Sequence, residues 1–310
     1  MKISLYTISL SGGYYAGPAV PLLDILPLAK QWGYDGLELE AKRPHGSPLD
    51  LDAGARRCLR ERAGELGLDL SCVASYNDFS SPIEEHRENE LLMLREHIRL
   101  AVDLGAPLVR VMAAWSGVTR RDGRITYDVA RYNIDQRFPG TLAVERWNYA
   151  RECLIEGARM AEDAGIMLAL QNHKPVTNNW RDMLAMIEEV DSPCLQASLD
   201  VPLFDQHSEA AYREALEATG RRMVHTHYGG RFERAADGRI TPVTASFGAG
   251  SDDALFMRLA KEIAGFSGHN GYELCSPVLI GHRYAGLDEA LLQCQLAGEY
   301  MRQIIDALPA

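Results

Sequence analysis

The sequence contains no apolar run long enough to span a membrane, no Cys-x-x-Cys pair and no Pro/Ser/Gly-rich stretch dividing it in two. The first absence argues against a membrane-spanning helix. The second leaves six scattered cysteines, Cys58, Cys72, Cys153, Cys194, Cys275 and Cys294, which read as reduced thiols packed as small apolar groups. The third leaves 310 residues, 46% hydrophobic and 24% charged, as a single domain over 1–310 with a sizeable core. An excess of positive charge is also missing. The net charge of −11 opposes a polyanion-binding surface, so no nucleic-acid partner is expected. Met1-Lys2-Ile3-Ser4 begins directly in an apolar pattern with no signal-peptide features, so the expected location is the cytoplasm.

What is present is a weak internal repeat. Four times an alanine is followed four residues later by a glycine and then by a strand-like run: Ala29 to Gly33, Ala63 to Gly67, Ala101 to Gly105 and Ala161 to Gly165. Each reads as a helix closed by a C′ glycine ahead of a buried strand. Strands are expected at Ile3–Tyr6, Gly36–Leu39, Leu68–Ala74, Leu108–Met112, Met167–Gln171, Leu195–Leu199, Met223–Thr226 and Gly271–Cys275. Helical patterns lie near 20–32, 52–66, 83–104, 144–164, 179–190, 208–219, 253–265 and 287–307. Eight alternating units predict a closed (β/α)8 TIM barrel. An open doubly wound sheet lacks its phosphate loop here, since Leu10-Ser11-Gly12-Gly13-Tyr14 is not Gly-x-Gly-x-x-Gly. Two long loops, Ala113–Leu142 after strand four and Tyr228–Ser251 after strand seven, are expected to lie over the mouth where barrel active sites are built. The first carries Trp115, Arg120, Arg121, Arg124 and Tyr127. Arg56, Arg57, Arg60 and Arg62, interleaved with Glu61 and Glu65, read as a solvated helix face.

The run Ile166–Pro175, Ile-Met-Leu-Ala-Leu-Gln-Asn-His-Lys-Pro, starts apolar and ends in four polar residues and a proline. It is a strand whose C-terminal end opens into something wet. The following strands end in Asp200, in His225-Thr226-His227 and in Tyr272-Glu273. An amide oxygen, an Asp, a His and a Glu on consecutive strand ends suit one hard divalent cation, and no cysteine joins them to suggest a thiolate zinc site. One histidine of the pair has the alternative of pointing into the core.

On these residues the chain resembles the xylose isomerase-like barrels. That sugar phosphate isomerase/epimerase group includes tagatose/psicose 3-epimerases, inosose dehydratases and endonuclease IV-type enzymes. The likeness runs through the Ala-x-x-x-Gly units, Gly36-Leu37-Glu38-Leu39, Leu199-Asp200, His225-Thr226-His227, Gly271-Tyr272-Glu273 and Gly248-Ala249-Gly250-Ser251-Asp252. It implies metal ligands at Gln171, Asp200, His227 and Glu273, with His225 as a neighbour, and one divalent ion, Mn2+ first, Mg2+ or Co2+ otherwise. Gln171 stands where the family has a Glu. An amide oxygen coordinates, but it cannot shuttle a proton, which disfavours a symmetric two-glutamate epimerisation.

An unperturbed imidazole titrates near neutral pH, so His173 is the expected replacement base, with Lys174 second and Glu273 the remaining proton carrier. One base and a metal-held enolate suffice for β-elimination. The preferred expectation is therefore a lyase on a keto-sugar, similar to inosose dehydratases and the catalytic subunits of C-glycoside deglycosidases. The latter likeness implies an oligomer with a small β-rich partner subunit. A sugar isomerase or 3-epimerase is the alternative. An endonuclease IV-like phosphodiesterase, which would want several zinc ions and more ligands, and a non-catalytic sugar-binding barrel are remoter. Tyr76, Phe79 and Trp115 offer aromatic faces to a sugar or glycoside, and His207, Arg231, His282 and Arg283 are further candidate contacts. Glu38 and Glu40 flank Leu39, and one is expected to hydrogen-bond inside the mouth.

Overall fold

The computed structural model describes residues 1–115, 117–126, 138–243, 250–274 and 276–309. Tyr127, Gly248, Ala249 and Cys275, singled out above, lie outside them. Eight parallel strands close a barrel: β1 (Lys2–Tyr6), β2 (Gly36–Glu40), β3 (Asp69–Ala74), β4 (Leu108–Val111), β5 (Met167–Gln171), β6 (Leu195–Asp200), β7 (Met223–Gly229) and β8 (His269–Glu273). They pair in chain order, and β1 pairs with both β2 and β8, so the sheet has no edge. The helices between them are α1 (Leu22–Gln31), α2 (Ala53–Glu65), α3 (Glu84–Leu104), α4 (Ala143–Ala164), α5 (Trp180–Val190), α6 (Glu209–Thr219), α7 (Asp253–Leu259) and α8 (Leu287–Asp306). This is the (β/α)8 barrel that the spacing predicts.

The repeat has a physical cause. Gly33, Gly67, Gly105 and Gly165 all take left-handed φ, 81°, 63°, 72° and 67°. The N–H after each glycine returns to the alanine carbonyl: Tyr34 to Ala29 at 3.0 Å, and Leu68 to Ala63, Ala106 to Ala101 and Ile166 to Ala161 at 2.9 Å. That 6→1 bond closes the helix as a Schellman motif and aims the chain at the sheet.

Along each strand, alternate residues face opposite layers. Leu37 and Leu39, Val109 and Val111, Leu168 and Leu170, and Ala197 and Leu199 join the main core cluster. The residues between them, Glu38, Arg110, Ala169 and Ser198, have the opposite parity and point to the barrel interior. The polar strand positions are thus gathered by sheet geometry alone into one column.

Three differences from expectation have local reasons. β7 runs to Gly229 rather than Thr226, because Tyr228 is still buried and its hydroxyl donates to the Ala297 carbonyl at 2.9 Å. β8 begins at His269, two residues early, because His269 and Asn270 pair with Lys2 and Ile3. The two long loops also contain structure: hairpins Thr119–Arg121/Arg124–Thr126 and Phe232–Arg234/Ile240–Pro242, with a third at Leu279–Ile280/Arg283–Tyr284. The first turns at Asp122-Gly123, both with positive φ (50° and 78°), the signature of a tight hairpin turn. Its Ile125 lies against Gly13, where a Cβ would fall 2.4 Å from Ile125 Cδ1. Among the described residues no helix is long and apolar enough to cross a membrane, and Cys58, Cys72, Cys153, Cys194 and Cys294 carry free thiols.

Candidate active site

A cavity of about 300 Å³ opens at the C-terminal ends of the strands. Its polar lining comes from Lys42, Tyr76, Arg110, Gln171, His173, Asp200 and Glu273. Ile8, Tyr14, Met112, Trp115, Val118, Ile125 and Leu203 complete the wall. Val118 and Ile125 belong to the first hairpin and its approach, so the loop after β4 does cover the mouth.

Beside the cavity Asp200, His227 and Glu273 converge. His227 Nδ1 lies 3.6 Å from Asp200 Oδ2 and 3.7 Å from Glu273 Oε2. His227 Nε2 is 2.8 Å from Glu38 Oε2. A carboxylate only accepts, so Nε2 carries the proton and the other nitrogen is aimed at the two acids. The Nδ1 atom and Asp200 Oδ1 are both buried without a hydrogen-bond partner. Buried polar atoms seldom stay unpaired, and one nitrogen with two carboxylates is a donor set for a hard or borderline divalent cation. The residues therefore fit one ion held by Asp200, His227 and Glu273.

Electrostatics support the same grouping. Burial pulls the His227 imidazole down, but Glu38 and Asp200 more than offset it and push it up to about 10. Burial raises the Glu273 carboxyl to about 7, against the pull of His227 and Arg110. Burial works against the Glu38 charge too, yet His227, Arg110 and His225 hold that carboxyl well below the usual range. Glu38 thus stays ionised and orients His227 from behind, as outer partners of ligand histidines do. A second three-residue cluster, Glu38, His225 and His227, also lies within ligand distance. Its atoms are already bonded among themselves and to Arg110, with His225 Nε2 at 3.1 Å from Glu38. Among the described residues there is accordingly one open donor set, not the several that a multi-zinc phosphodiesterase would want.

Gln171 sits at the rim, but its orientation differs from the expectation of an amide oxygen facing the ion. Oε1 accepts from Arg110 Nη1 at 2.5 Å, and Nε2 donates to Asp200 Oδ2. It presents an N–H to the acids. Arg110 explains this: fully buried, it donates from Nε to Glu38 at 2.8 Å and lies 5.1 Å over the Tyr6 ring. Tyr6 in turn stacks on His227 with planes 6° apart.

Arg110 escaped the sequence reading. Its signal was available: a lone Arg inside Leu-Val-Arg-Val-Met on a strand buried on both faces must have a charged partner. Lys42, two residues beyond β2, and Tyr6, whose hydroxyl meets that of Tyr76, were missed as well.

His173 lines the cavity, with its ring edge-on to Trp115 at 4.5 Å. Its Nδ1 meets the Lys174 carbonyl at 2.6 Å, so that nitrogen bears the proton and Nε2 keeps the lone pair. Burial lowers its pKa, opposed by that carbonyl and by Asp200. Tyr76 and Trp115 also line the cavity. His225 is fully buried beneath the site, taking the core-facing alternative: Nδ1 meets Ser198 Oγ at 2.9 Å. Phe79 is buried in the main core. Lys174 is 68% exposed, its Nζ 4.0 Å from Asp205, and it does not line the cavity. His207, bonded to Tyr212, Arg231, which donates to the Leu279 carbonyl at 3.1 Å, and the exposed His282 and Arg283 lie outside the cavity lining too.

Residues 26–291 match the family described as xylose isomerase-like TIM barrel, and the chain belongs to that family. No curated protein matches it in sequence. Its fold is similar to that of a 3-keto-D-glucoside 4-epimerase from E. coli, with a TM-score of 0.67 and 17% identity, covering 97% of this chain and 99% of that one. A D-psicose 3-epimerase crystallised in the presence of D-fructose gives 0.71 and 15% identity over 98% and 99%. The D-psicose 3-epimerase of Clostridium cellulolyticum H10, solved with D-tagatose, gives 0.70 and 18% identity over 98% and 99%.

Proposed function

We propose that this member of the xylose isomerase-like TIM barrel family is a sugar isomerase or epimerase that moves a proton on the carbon beside a keto group. The support is a pair of titratable groups, His173 just beyond β5 and Glu273 at the end of β8, lining one cavity. A proton carrier needs a pKa within reach of the working pH; burial raises the Glu273 carboxyl to about 7, and burial lowers the His173 imidazole, which leaves it neutral and able to accept. His173, neutral with Nε2 unprotonated, takes the proton from the substrate carbon. Glu273, whose carboxyl burial raises to about 7, lines the same cavity and is the group placed to return one. Gln171 cannot share that work; it braces Asp200 while Arg110 braces it. Asp200, His227 and Glu273 would hold one divalent ion, and when bound such an ion stabilises negative charge on a carbonyl oxygen. Met112, Val118, Ile125 and Leu203 keep the cavity dry around the exchanging proton.

Elimination, the preferred expectation from the sequence, yields first place to this reading. It starts with the same proton removal, and Gln171 in place of a second carboxylate still favours it as the runner-up. The sugar epimerases among the structural relatives support return of the proton over loss of a leaving group. The test is incubation with Mn2+ in D2O with two panels, free ketoses such as D-fructose, D-tagatose and D-allulose, and 3-keto-glucosides. The expected result is an inverted product carrying deuterium beside the carbonyl, lost on chelation. An elimination product without any epimer would overturn the epimerase in favour of the lyase.

A further inference from the structure

Glu40 is the least satisfied charge in the described interior. It is fully buried, yet neither carboxylate oxygen has a hydrogen-bond partner. Its neighbours are Lys42 Nζ at 3.4 Å and His45 Nδ1 at 3.5 Å. His45 gives its other nitrogen to the Val20 carbonyl at 3.1 Å. A buried carboxylate without short bonds costs the fold free energy, so its retention asks for another reason. What Glu40 does is hold an ammonium at the cavity wall. Lys42 Nζ also sits 3.8 Å from the centroid of the Tyr76 ring, a cation–π contact. Its ion-pair partner among the described residues is Glu40, at 3.4 Å, and an ammonium has three N–H groups to give. The wall around it, Ile8, Tyr14, Val118 and Ile125, is largely apolar.

Topology sets the direction. In the closed ring, β2 stands four strands from β6, so Lys42 faces Asp200 across the mouth, while Glu273 on β8 is two strands away. A ligand in this cavity with its keto group beside Asp200 brings its opposite end to Lys42.

We propose that Lys42 is a further substrate-contacting residue, whose ammonium, held from below by Glu40 and from the side by Tyr76, receives an oxygen at the end of the sugar remote from the reacting carbon. The inference rests on the reading of the cavity as a sugar site. It makes Lys42 a specificity residue: sugars with an acceptor oxygen at that end are favoured over those with a methyl group there.

Two measurements test it, and they fail separately from the epimerase reading. In the first, Lys42→Met is expected to raise KM about tenfold to a hundredfold, the worth of one hydrogen bond to a charged group, with kcat moved much less. Lys42→Arg, which keeps the charge, recovers part of that affinity. Because Lys42→Met alone strands the Glu40 carboxylate, the paired Glu40→Gln/Lys42→Met variant is measured beside it; an unchanged KM in both overturns the inference while leaving the epimerase intact. In the second, the Mn2+-loaded wild-type protein is labelled with trinitrobenzenesulfonate, with and without each sugar of the two panels at saturation, and mapped by peptide. Lys42 lines the open cavity and its side chain is 29% exposed, so its amine can be reached by such a label. Sugar is expected to slow labelling of Lys42 several-fold and to leave exposed Lys30 unaffected. Lack of protection by every sugar overturns the inference even if no sugar is turned over, and protection without turnover sustains it while the epimerase reading falls.

Discussion

On the β2–β4 side of the mouth the charged groups are Lys42 and Arg110, backed by Tyr6 and Tyr76; on the β6–β8 side they are Asp200 and Glu273, with His227 between them. Arg110 is bonded on two of its nitrogens at 2.8 and 2.5 Å. Across the cavity, Asp200 Oδ1 and His227 Nδ1 are equally buried and unbonded. The contrast separates Arg110, a bonded brace, from the open donor set. Where buried polar atoms are satisfied by the chain, they hold shape; where they are left open and convergent, something else is meant to complete them. Glu38 joins the two sides, pairing with Arg110 on one and His227 on the other.

Cutting that joint has the largest expected effect. Glu38→Ala leaves Arg110 buried without its counter-ion and is expected to cost about 3–5 kcal/mol in denaturant unfolding. A cost below about 1 kcal/mol would mean the two sides are independent. Next, His227→Ala removes a donor from the open set. Mn2+ affinity, read by electron paramagnetic resonance, is expected to fall by more than about a hundredfold, beyond the range for an outer partner. Unchanged affinity would take His227 out of the set. His173→Ala keeps both sides and removes only the proposed base; turnover is expected to drop at least about a hundredfold with Mn2+ binding retained. Near-normal turnover would shift the base role to Glu273.

Acidity sharpens the same contrast. His227 at about 10 and Glu273 at about 7 are both raised above their ordinary values of 6.5 and 4.5. A raised group stabilises the fold fully below its unfolded value and ceases to as pH climbs through its folded value. The metal-free protein therefore loses Glu273's contribution between 4.5 and about 7, and His227's between 6.5 and about 10. A cation binds the deprotonated forms, so the rise in Tm on adding Mn2+ is expected to grow from about pH 6 to about pH 9. A pH-independent rise would place the ion elsewhere. The smallest change is Lys174→Ala, whose side chain is 68% exposed. It is expected to stay within about 0.5 kcal/mol in stability and to leave KM unmoved; a large kinetic effect would bring the loop after β5 into the cavity.

The barrel was legible because its signals are local. Ala63 and Gly67 announce a helix end whatever the rest of the chain does, and Asp200, the His225–His227 pair and Glu273 fall near strand ends that the period locates, the choice of His227 coming from the family resemblance. Arg110 was not legible, because its meaning lies in Glu38, 72 residues away in sequence and joined to it only by the sheet. Gln171 was half legible. Its position followed from the strand, but which end of the amide faces the acids depends on Arg110. The hairpin at Asp122-Gly123 carries a turn signal of its own, hidden inside a segment whose length alone reads as loop.

Gly271 bears on all of this by what it lacks. A Cβ there would fall 2.7 Å from His227 Cδ2 and 2.9 Å from Glu38 Oε2. The imidazole's aim therefore passes through a space kept vacant on the neighbouring strand. Anyone remodelling this cavity can trade Leu203 with some freedom, but a single methyl at position 271 would press on the histidine and on Glu38 without changing any residue that lines the cavity.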